Sequence, residues 1–155
     1  MQVKEIMSKE VITVRRSTKL KELLGLFSKF HLFPLVPVVE EGSRLVGVIS
    51  FRSLIGVFSP YRPEILNAVP FLDDQEEDIF KVELTDDIGD LVIADDIMET
   101  KFVSLREDTT LEEAFRLMKL QLKEEFPVVD KKGELVGKIG IFDIIRQVFS
   151  GKGVV

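Results

Sequence analysis

Residues 37–47 read PVVEEGSRLVG, and residues 127–137 read PVVDKKGELVG. Both stretches begin with Pro-Val-Val and an acidic residue, and both end with Leu-Val-Gly, at a constant offset of 90 positions. Self-similarity at such a long period indicates that one structural unit occurs twice. We therefore interpret the chain as two copies of one unit, and we expect the residues around these stretches to repeat as well.

The repeat extends upstream at an offset of 91 positions, because the second copy lacks one residue. The Ile-Met pair at 6–7 matches the pair at 97–98, and the run VITV at 11–14 matches FVSL at 102–105. Short runs rich in β-branched and apolar residues are typical of brief strands. Each copy is therefore predicted to begin with a short strand.

Apolar residues at helical spacing follow each of these strands and predict a first helix. In the second copy this helix starts with a capping-box pattern, Thr109 with Glu112 three positions later. In each copy, the Pro-Val-Val and Leu-Val-Gly motifs then predict the two strands of a hairpin, around the turns at 41–43 and 131–133. A last helix is predicted to close each unit. The residues that carry the helical spacing are Leu20, Leu23, Leu24, Phe27 and Phe30, then Leu54, Ile55 and Phe58 in the first copy, and Leu111, Ala114, Phe115 and Met118, then Ile144, Ile145 and Val148 in the second.

Each copy thus has the order βαββα. We predict an α+β protein of two tandem repeats that pack sheet to sheet with pseudo-twofold symmetry. The first repeat is placed at 1–60, an acidic and partly helical linker at 61–93, and the second repeat at 94–155. A unit of about 55 residues is only marginally stable alone, so the copies should pack together and leave a cleft between them. Apolar helix faces left outside would favour a homodimer.

Composition argues against several classes of protein. The chain has no cysteine, which rules out disulfides and thiolate metal sites, and we expect no secretory signal at its start. No apolar run approaches the roughly 20 residues of a membrane-spanning helix, so we predict a cytoplasmic protein without a membrane partner. The net charge is −6, yet residues 64–96 hold 12 acidic residues against one lysine. This uneven charge argues against nucleic-acid binding, which needs one continuous basic face.

The Ile-Met start, the Pro-Val-Val-acid strand and the Leu-Val-Gly strand recur twice in the same order. In this the chain resembles a pair of cystathionine β-synthase (CBS) domains, also called a Bateman module, and the resemblance covers both repeats. It implies a regulatory protein with no required cofactor. It also implies that an adenosine-type ligand, such as AMP, ADP, ATP or S-adenosylmethionine, binds in the cleft between the repeats. We expect the target of regulation to be an unidentified partner protein.

The family's ligand motif follows the last strand of each repeat: a Ser or Thr, two spacers, and an Asp or Asn. The resemblance implies that the carboxylate binds the ribose hydroxyls, while the hydroxyl and the helix N-terminal amides meet the phosphate. The first copy has Ser50 and Ser53 at these positions, whereas the second has Gly140 and Asp143. We expect the better site in the second copy, which keeps the carboxylate, with Arg146 as a further phosphate contact. The resemblance also assigns Val103, Ser104, Phe126, Pro127 and Val128 to the second pocket, and Ile12, Thr13, Val36, Pro37 and Val38 to the first.

Five of these residues also have a purely structural interpretation. Asp143 is well suited to cap the last helix, Ser50 and Ser53 suit cap or turn positions, and Phe126 suits the core. Arg146 would serve in a surface ion pair, with its stem packed on the helix. We favour the structural role for Ser53 and Arg146.

Two further features invite a chemical role that we do not favour. His31 is the only imidazole, and the second copy has Leu122 at the matching position, so a catalytic histidine is not expected. The acidic segment lacks the spacing of a calcium loop. We therefore predict a solvated face there and no bound metal.

Two functions remain after these exclusions. The first is a sensor of adenine nucleotides that signals to a partner protein. The alternative is a protein-interaction or scaffold module whose nucleotide site has degenerated, because both ligand motifs are incomplete. An enzyme is not expected, because the sequence has no cysteine, no usable histidine arrangement and no P-loop.

Overall fold

The computed structural model of the chain describes residues 1–29, 35–58 and 86–153. Phe30, His31 and most of the predicted acidic linker lie outside the described residues, as does the side chain at position 58. A 3-10 turn at Val3–Glu5 comes first. The helices are α1 (Leu20–Phe27), α2 (Phe51–Phe58), α3 (Ile88–Leu91), α4 (Ala94–Ile97), α5 (Leu111–Gln121) and α6 (Ile141–Gly151), and the strands are β1 (Val36–Glu40), β2 (Arg44–Ile49), β3 (Leu105–Arg106), β4 (Glu125–Val129) and β5 (Leu135–Gly140).

The Pro-Val-Val and Leu-Val-Gly motifs form the predicted antiparallel hairpins, β1 with β2 and β4 with β5. Both hairpins are irregular at the same repeat position, between Val38 and Val39 and between Val128 and Val129. Matching irregularities in the two copies mean that the two halves adopt the same local fold, as the repeat predicts.

The first predicted strand of each copy is shorter than expected. In the second copy, β3 pairs in parallel with β4, but only from Leu105 onwards. In the first copy, Val14 alone forms a parallel bridge, to Val38. The predicted four-residue strands are therefore wrong in extent. Val14 is buried whereas Ile12 is half exposed, so only the last residue of the run has apolar contacts that hold it against the hairpin.

The two repeats exchange their N-terminal segments. The start of the chain lies on the second repeat, where Ser8 exchanges two backbone hydrogen bonds with Lys138 in β5, both of 2.9 Å. At the matching position, Glu99 exchanges two with Val48 in β2, of 2.8 and 3.0 Å. Each three-dimensional unit thus takes one segment from the other half of the chain. The predicted boundaries of the repeats stay a prediction.

The Ile-Met pair of each exchanged segment explains the glycine of the Leu-Val-Gly motif. A Cβ atom at Gly137 would stand 2.7 Å from Met7 Sδ and 2.8 Å from Ser8 O. One at Gly47 would stand 2.6 Å from Met98 Sδ. Real Cβ atoms essentially never approach other atoms so closely, so a side chain at either glycine would force the neighbouring segment or its methionine to shift. The methionine of the Ile-Met pair and the glycine of the Leu-Val-Gly motif therefore contact each other in both repeats.

Each repeat has its own apolar core, and each core contains residues of the exchanged segment. The hairpin turns also meet, because Leu45 N–H donates to Gly133 O (3.2 Å) and Leu135 N–H donates to Ser43 O (2.8 Å). The predicted α+β fold of two repeats related by pseudo-twofold symmetry is confirmed. The first core comprises Val14, Leu23, Val36, Val38, Ile49 and Ala94, and the second comprises Val3, Leu105, Leu111, Ala114, Met118, Phe126, Val128, Ile139 and Ile144.

The start of α5 differs from the predicted capping box by one residue. Its N-cap is Thr110, whose Oγ1 accepts from Glu113 N–H (3.3 Å), so the prediction of Thr109 with Glu112 is wrong. The carbonyl oxygen of Thr109 instead accepts from Val3 N–H (2.8 Å). Contact with the exchanged segment therefore holds the residue before the cap and fixes where the helix begins.

Candidate ligand-binding cleft

A cavity of about 250 Å³ opens between the two repeats. The first repeat contributes Leu35, just before β1, and Val48 in β2. The second repeat contributes the start of β4 and the segment before β3. The volume lies just below the range of roughly 300–1,000 Å³ that is usual for ligand pockets, so the cavity suits a small organic ligand. Its lining consists of Leu35, Val48, Glu99, Lys101, Phe102, Val103, Gln121, Lys123, Glu125, Phe126 and Pro127.

The cleft combines apolar surface with a few charged groups. Phe102 and Val103 are half-buried and supply apolar surface, whereas Val48, Phe126 and Pro127 line the cleft with at most 2% of their surface exposed. An apolar lining with a small number of placed polar groups is the usual composition of a small-molecule site. Aromatic rings also offer a flat partner on which a planar base can stack.

Two carboxylates of the cleft join segments from the two halves of the chain. Glu125 Oε2 accepts from Leu35 N–H (3.0 Å), and its Oε1 lies 3.0 Å from Lys138 Nζ. Glu99 Oε1 accepts from the Ser50 hydroxyl (3.1 Å). Both carboxylates therefore already have ordered partners within the protein, and both hold the walls of the cleft together.

The second predicted pocket coincides with the cleft in part. Val103, Phe126 and Pro127 line it. Phe126 is also a core residue, so its structural and ligand-facing interpretations are compatible. Val128 is fully buried in the core of the second repeat, and Ser104 is exposed outside the cavity lining.

The cleft includes none of the residues predicted for the first pocket. Val36, Pro37 and Val38 are buried in β1, and Val36 and Val38 belong to the core of the first repeat. Ile12 and Thr13 are exposed. In the described part of the chain, most of the cleft lining therefore comes from the second repeat, and which of the two sites binds a ligand better stays a prediction.

Asp143 forms the contact of a helix cap at the start of α6. Its Oδ2 accepts from Gly140 N–H (2.8 Å), which is the reach-back hydrogen bond of a residue in the first helical turn. A Cβ at Gly140 would stand 3.6 Å from Glu125 Cγ, an ordinary contact distance, so packing does not require glycine here. Gly140 pairs with Glu125 of the cleft lining, but neither Gly140 nor Asp143 belongs to that lining.

The first repeat makes the same contact with a hydroxyl. Ser53 is 7% exposed, and its Oγ accepts from Ser50 N–H (3.1 Å), as the Asp143 carboxylate does from Gly140 N–H. The Ser50 hydroxyl in turn donates to Glu99. Both hydroxyls of the first motif are thus used inside the protein, which agrees with the structural interpretation of Ser53.

Arg146 lies on another part of the surface. Together with Phe142, Ile145, Phe149 and Ser150 it lines an open groove of about 390 Å³ along α6. It does not line the cleft between the repeats. Its contact with a phosphate stays a prediction, and the groove gives that prediction no support.

Two residues in the described part of the acidic segment, Asp90 and Asp95, are paired with basic side chains. Asp90 Oδ1 lies 2.7 Å from Lys21 Nζ and 3.5 Å from Lys19 Nζ. The hydrogen bond to Lys21, and secondly its charge, lowers the pKa of Asp90, and the same pair raises the pKa of Lys21. Asp95 pairs with Arg16 at 3.7 Å. Over the three described ranges, no cluster of metal-binding side chains occurs and no helix is long and apolar enough to cross a membrane.

Four charged residues of the cleft were not predicted. Lys101 and Lys123 lie two and three positions before predicted pocket residues, and Glu125 directly precedes one, so their closeness in sequence was an available signal. Glu99 reaches the cleft only because its segment packs on the other repeat. No pattern in the sequence indicated that exchange.

Comparison with protein families agrees with this geometry. The CBS domain family model matches residues 3–59 and 93–150. A CBS domain-containing protein from Dictyostelium discoideum is 28% identical over 144 residues, which cover 92% of this chain and 88% of that protein. Inosine-5'-monophosphate dehydrogenase from Aquifex aeolicus is 26% identical over 136 residues, which cover 88% of this chain. The match spans only 22% of the dehydrogenase, so it does not extend to that enzyme as a whole.

Solved structures share the fold. The cytosolic domain of the Mg²⁺ channel MgtE, solved in complex with ATP, superposes with a TM-score of 0.66 at 27% identity, over 94% of this chain and 48% of that one. The protein CBSX2, solved in complex with AMP, superposes with a TM-score of 0.70 at 24% identity, over 97% of this chain and 98% of that one. At the latter identity the likeness concerns the fold alone.

Proposed function

The chain belongs to the CBS domain family, and we propose that it is a regulatory module that binds an adenosine-type nucleotide between its repeats and signals to a partner protein. The observation that carries this proposal is the cleft itself, whose walls come from both repeats and whose lining is apolar with charged groups. The ATP complex of the related MgtE domain supports an adenine nucleotide as the ligand. AMP, ADP and S-adenosylmethionine are the other candidates.

Binding in such a cleft has a direct route to regulation. Leu35 and Val48 come from the first repeat, whereas Phe126 and Pro127 come from the second. A ligand that contacts both walls favours the relative placement of the repeats that fits it best, because a ligand shifts a conformational equilibrium by its differential affinity for the two states. A partner that contacts both repeats then responds to occupancy. The proposed role is binding and not turnover.

A thermal-shift titration with AMP, ADP, ATP and S-adenosylmethionine tests the proposal. One-site binding to the folded state at one hundred times Kd raises the free energy of unfolding by about 2.7 kcal/mol, which gives a readily measured rise in Tm. We expect a concentration-dependent rise with at least one of the four ligands. A flat response to all four at millimolar concentration would favour the second candidate, a scaffold module with a degenerate site. That candidate is motivated by the first motif, where Ser50 and Ser53 are both bonded within the protein.

We also propose that the module acts as a homodimer in the cytoplasm. Large apolar side chains are exposed on the last helix of both repeats, at Phe51 and Ile55 in α2 and at Phe142 and Phe149 in α6. Concentrated apolar surface favours association, and a closed twofold dimer is the commonest form it takes. The same position carries isoleucine in both copies, Ile55 and Ile145, so the repeat itself supplies two similar faces.

A further inference from the structure

The charged residues in and beside the cleft carry a net positive charge. Lys101 and Lys123 both line the cavity. Lys138 adjoins it through its ion pair with Glu125. Against these three lysines the cleft has two glutamates, Glu99 and Glu125, which leaves one net positive charge.

Both glutamates are bonded to other groups of the protein, whereas two of the three lysines have no ion-pair partner in the described ranges. Glu125 holds Lys138 and the Leu35 amide, and Glu99 accepts from Ser50. Lys101 and Lys123 form no ion pair with any residue in the described ranges. Two lysines that line a cleft and have no carboxylate partner in the described ranges are suited to bind an anionic group on a ligand.

The segment that contains Lys123 lies next to the start of α6. The next residue, Glu124, accepts a hydrogen bond from Ile141 N–H (2.8 Å) through its carbonyl oxygen, so the segment 123–125 passes directly beside the start of α6. The first turn of this helix holds the Asp143 carboxylate and lies outside the cleft lining, so the positive charge here comes from Lys123 itself.

We infer that the cleft discriminates among adenosine-type ligands by phosphate charge, with Lys101 and Lys123 as the residues that set the preference for ATP and ADP over AMP, adenosine and S-adenosylmethionine. The inference rests on the proposed function, because it concerns the same cleft. S-adenosylmethionine carries a sulfonium cation, so the same two lysines disfavour it. The scale of the effect is that of solvent-screened pairs, up to about fivefold in affinity for each lysine.

Isothermal titration of the full chain with adenosine, AMP, ADP, ATP and S-adenosylmethionine at fixed ionic strength tests the preference. We expect affinity to rise with the number of phosphates, and the ATP affinity to fall as salt is raised while the adenosine affinity does not. In the double variant Lys101→Met and Lys123→Met, ATP should bind more weakly by up to about 25-fold, with adenosine unchanged. Lys131→Met, which removes the same charge from an exposed turn outside the cleft lining, is the matched control and should keep the wild-type order.

Two outcomes would overturn the inference, and they are distinguishable. Equal affinity for adenosine and ATP in the wild type, or an unchanged preference in the double variant, would refute charge selection while leaving nucleotide binding intact. Failure of every ligand, including adenosine, would refute the proposed function and the inference with it. Thermal denaturation of the variants without ligand separates either result from misfolding, because neither lysine is buried and the changes should leave Tm close to that of the wild type.

Discussion

Asp143 and Ser53 occupy matching positions in the two repeats and accept the same hydrogen bond, from the amide three residues earlier. The cap function therefore needs only an oxygen acceptor, which a hydroxyl also provides. A negative charge is needed only if the second oxygen of the carboxylate binds something else, such as the ribose hydroxyls that the family resemblance implies. Replacing Asp143 by serine, the residue that the first repeat has at the matching position, therefore separates the cap from the ligand contact.

Asp143→Ser should keep the cap and lose the ligand. We expect a Tm close to that of the wild type and an ATP affinity lower by roughly 10- to 100-fold, the range that corresponds to one or two lost hydrogen bonds to a charged group. Asp143→Ala is the comparison, since it removes cap and carboxylate together and should also lower the free energy of unfolding by about 1 kcal/mol. Titration calorimetry and thermal denaturation measure both. Wild-type ATP affinity in Asp143→Ser would leave the carboxylate with a structural role only.

At the residue scale, the positions predicted from the family resemblance coincide with the cleft lining only in part. Val103, Phe126 and Pro127 were predicted from the resemblance and line the cleft. Arg146 was predicted from its spacing to Asp143, but one helical turn places it in a separate groove along α6. Spacing along a helix defines a face of that helix, but it does not say what lies opposite that face.

At the scale of elements, the repeat predicted both hairpins and both closing helices, because each is a local pattern of apolar residues and turns. The exchange of N-terminal segments was not predictable in this way. An offset shows that the Ile-Met pairs match, but it does not say which copy each pair packs against. The contact between Met7 and Gly137 became visible only in three dimensions.

Gly137→Ala tests the importance of that contact for stability. The added Cβ would meet Met7 Sδ and the backbone oxygen of Ser8 below 3 Å, so the exchanged segment must shift. We expect the free energy of unfolding to fall by roughly 1–3 kcal/mol, as for other overpacked sites. Gly47→Ala should cost less, because its two nearest atoms belong to the flexible side chain of Met98.

Gly25→Ala provides the control for this comparison. Gly25 lies inside α1, and a Cβ there would have nothing within 4 Å. The same chemical change should therefore raise the free energy of unfolding by about 0.5–1 kcal/mol, because alanine favours the helix. Urea denaturation of the three variants measures the order. If Gly137→Ala were as stable as Gly25→Ala, the exchanged segment would not be held as the structure describes.

At the scale of the whole molecule, each core contains residues contributed by the other half of the chain. The repeats are therefore expected to unfold together in one transition. Ile144 of α6 belongs to the second core, whereas Phe142 and Phe149 of the same helix lie outside it, with 72% and 44% of their surface exposed. They are the natural contact for a second copy.

The double variant Phe142→Ser and Phe149→Ser should convert the proposed homodimer to a monomer without unfolding it, because both side chains are largely outside the core. Light scattering coupled to size exclusion measures the mass. Ile12→Ser, which removes a half-exposed apolar side chain away from the helices, should remain dimeric. A wild-type protein that is monomeric at tens of micromolar, or a serine variant that remains dimeric, would contradict this assignment of the interface.

The claim on which the account depends is that one ligand touches both repeats at once. Hydrogen exchange with and without saturating ATP measures this directly. The account predicts slower exchange in the first-repeat wall, around Leu35 and Val48, together with slower exchange in the second-repeat wall, at 99–103 and 123–127. Protection confined to one repeat, or no change in either wall, would contradict it.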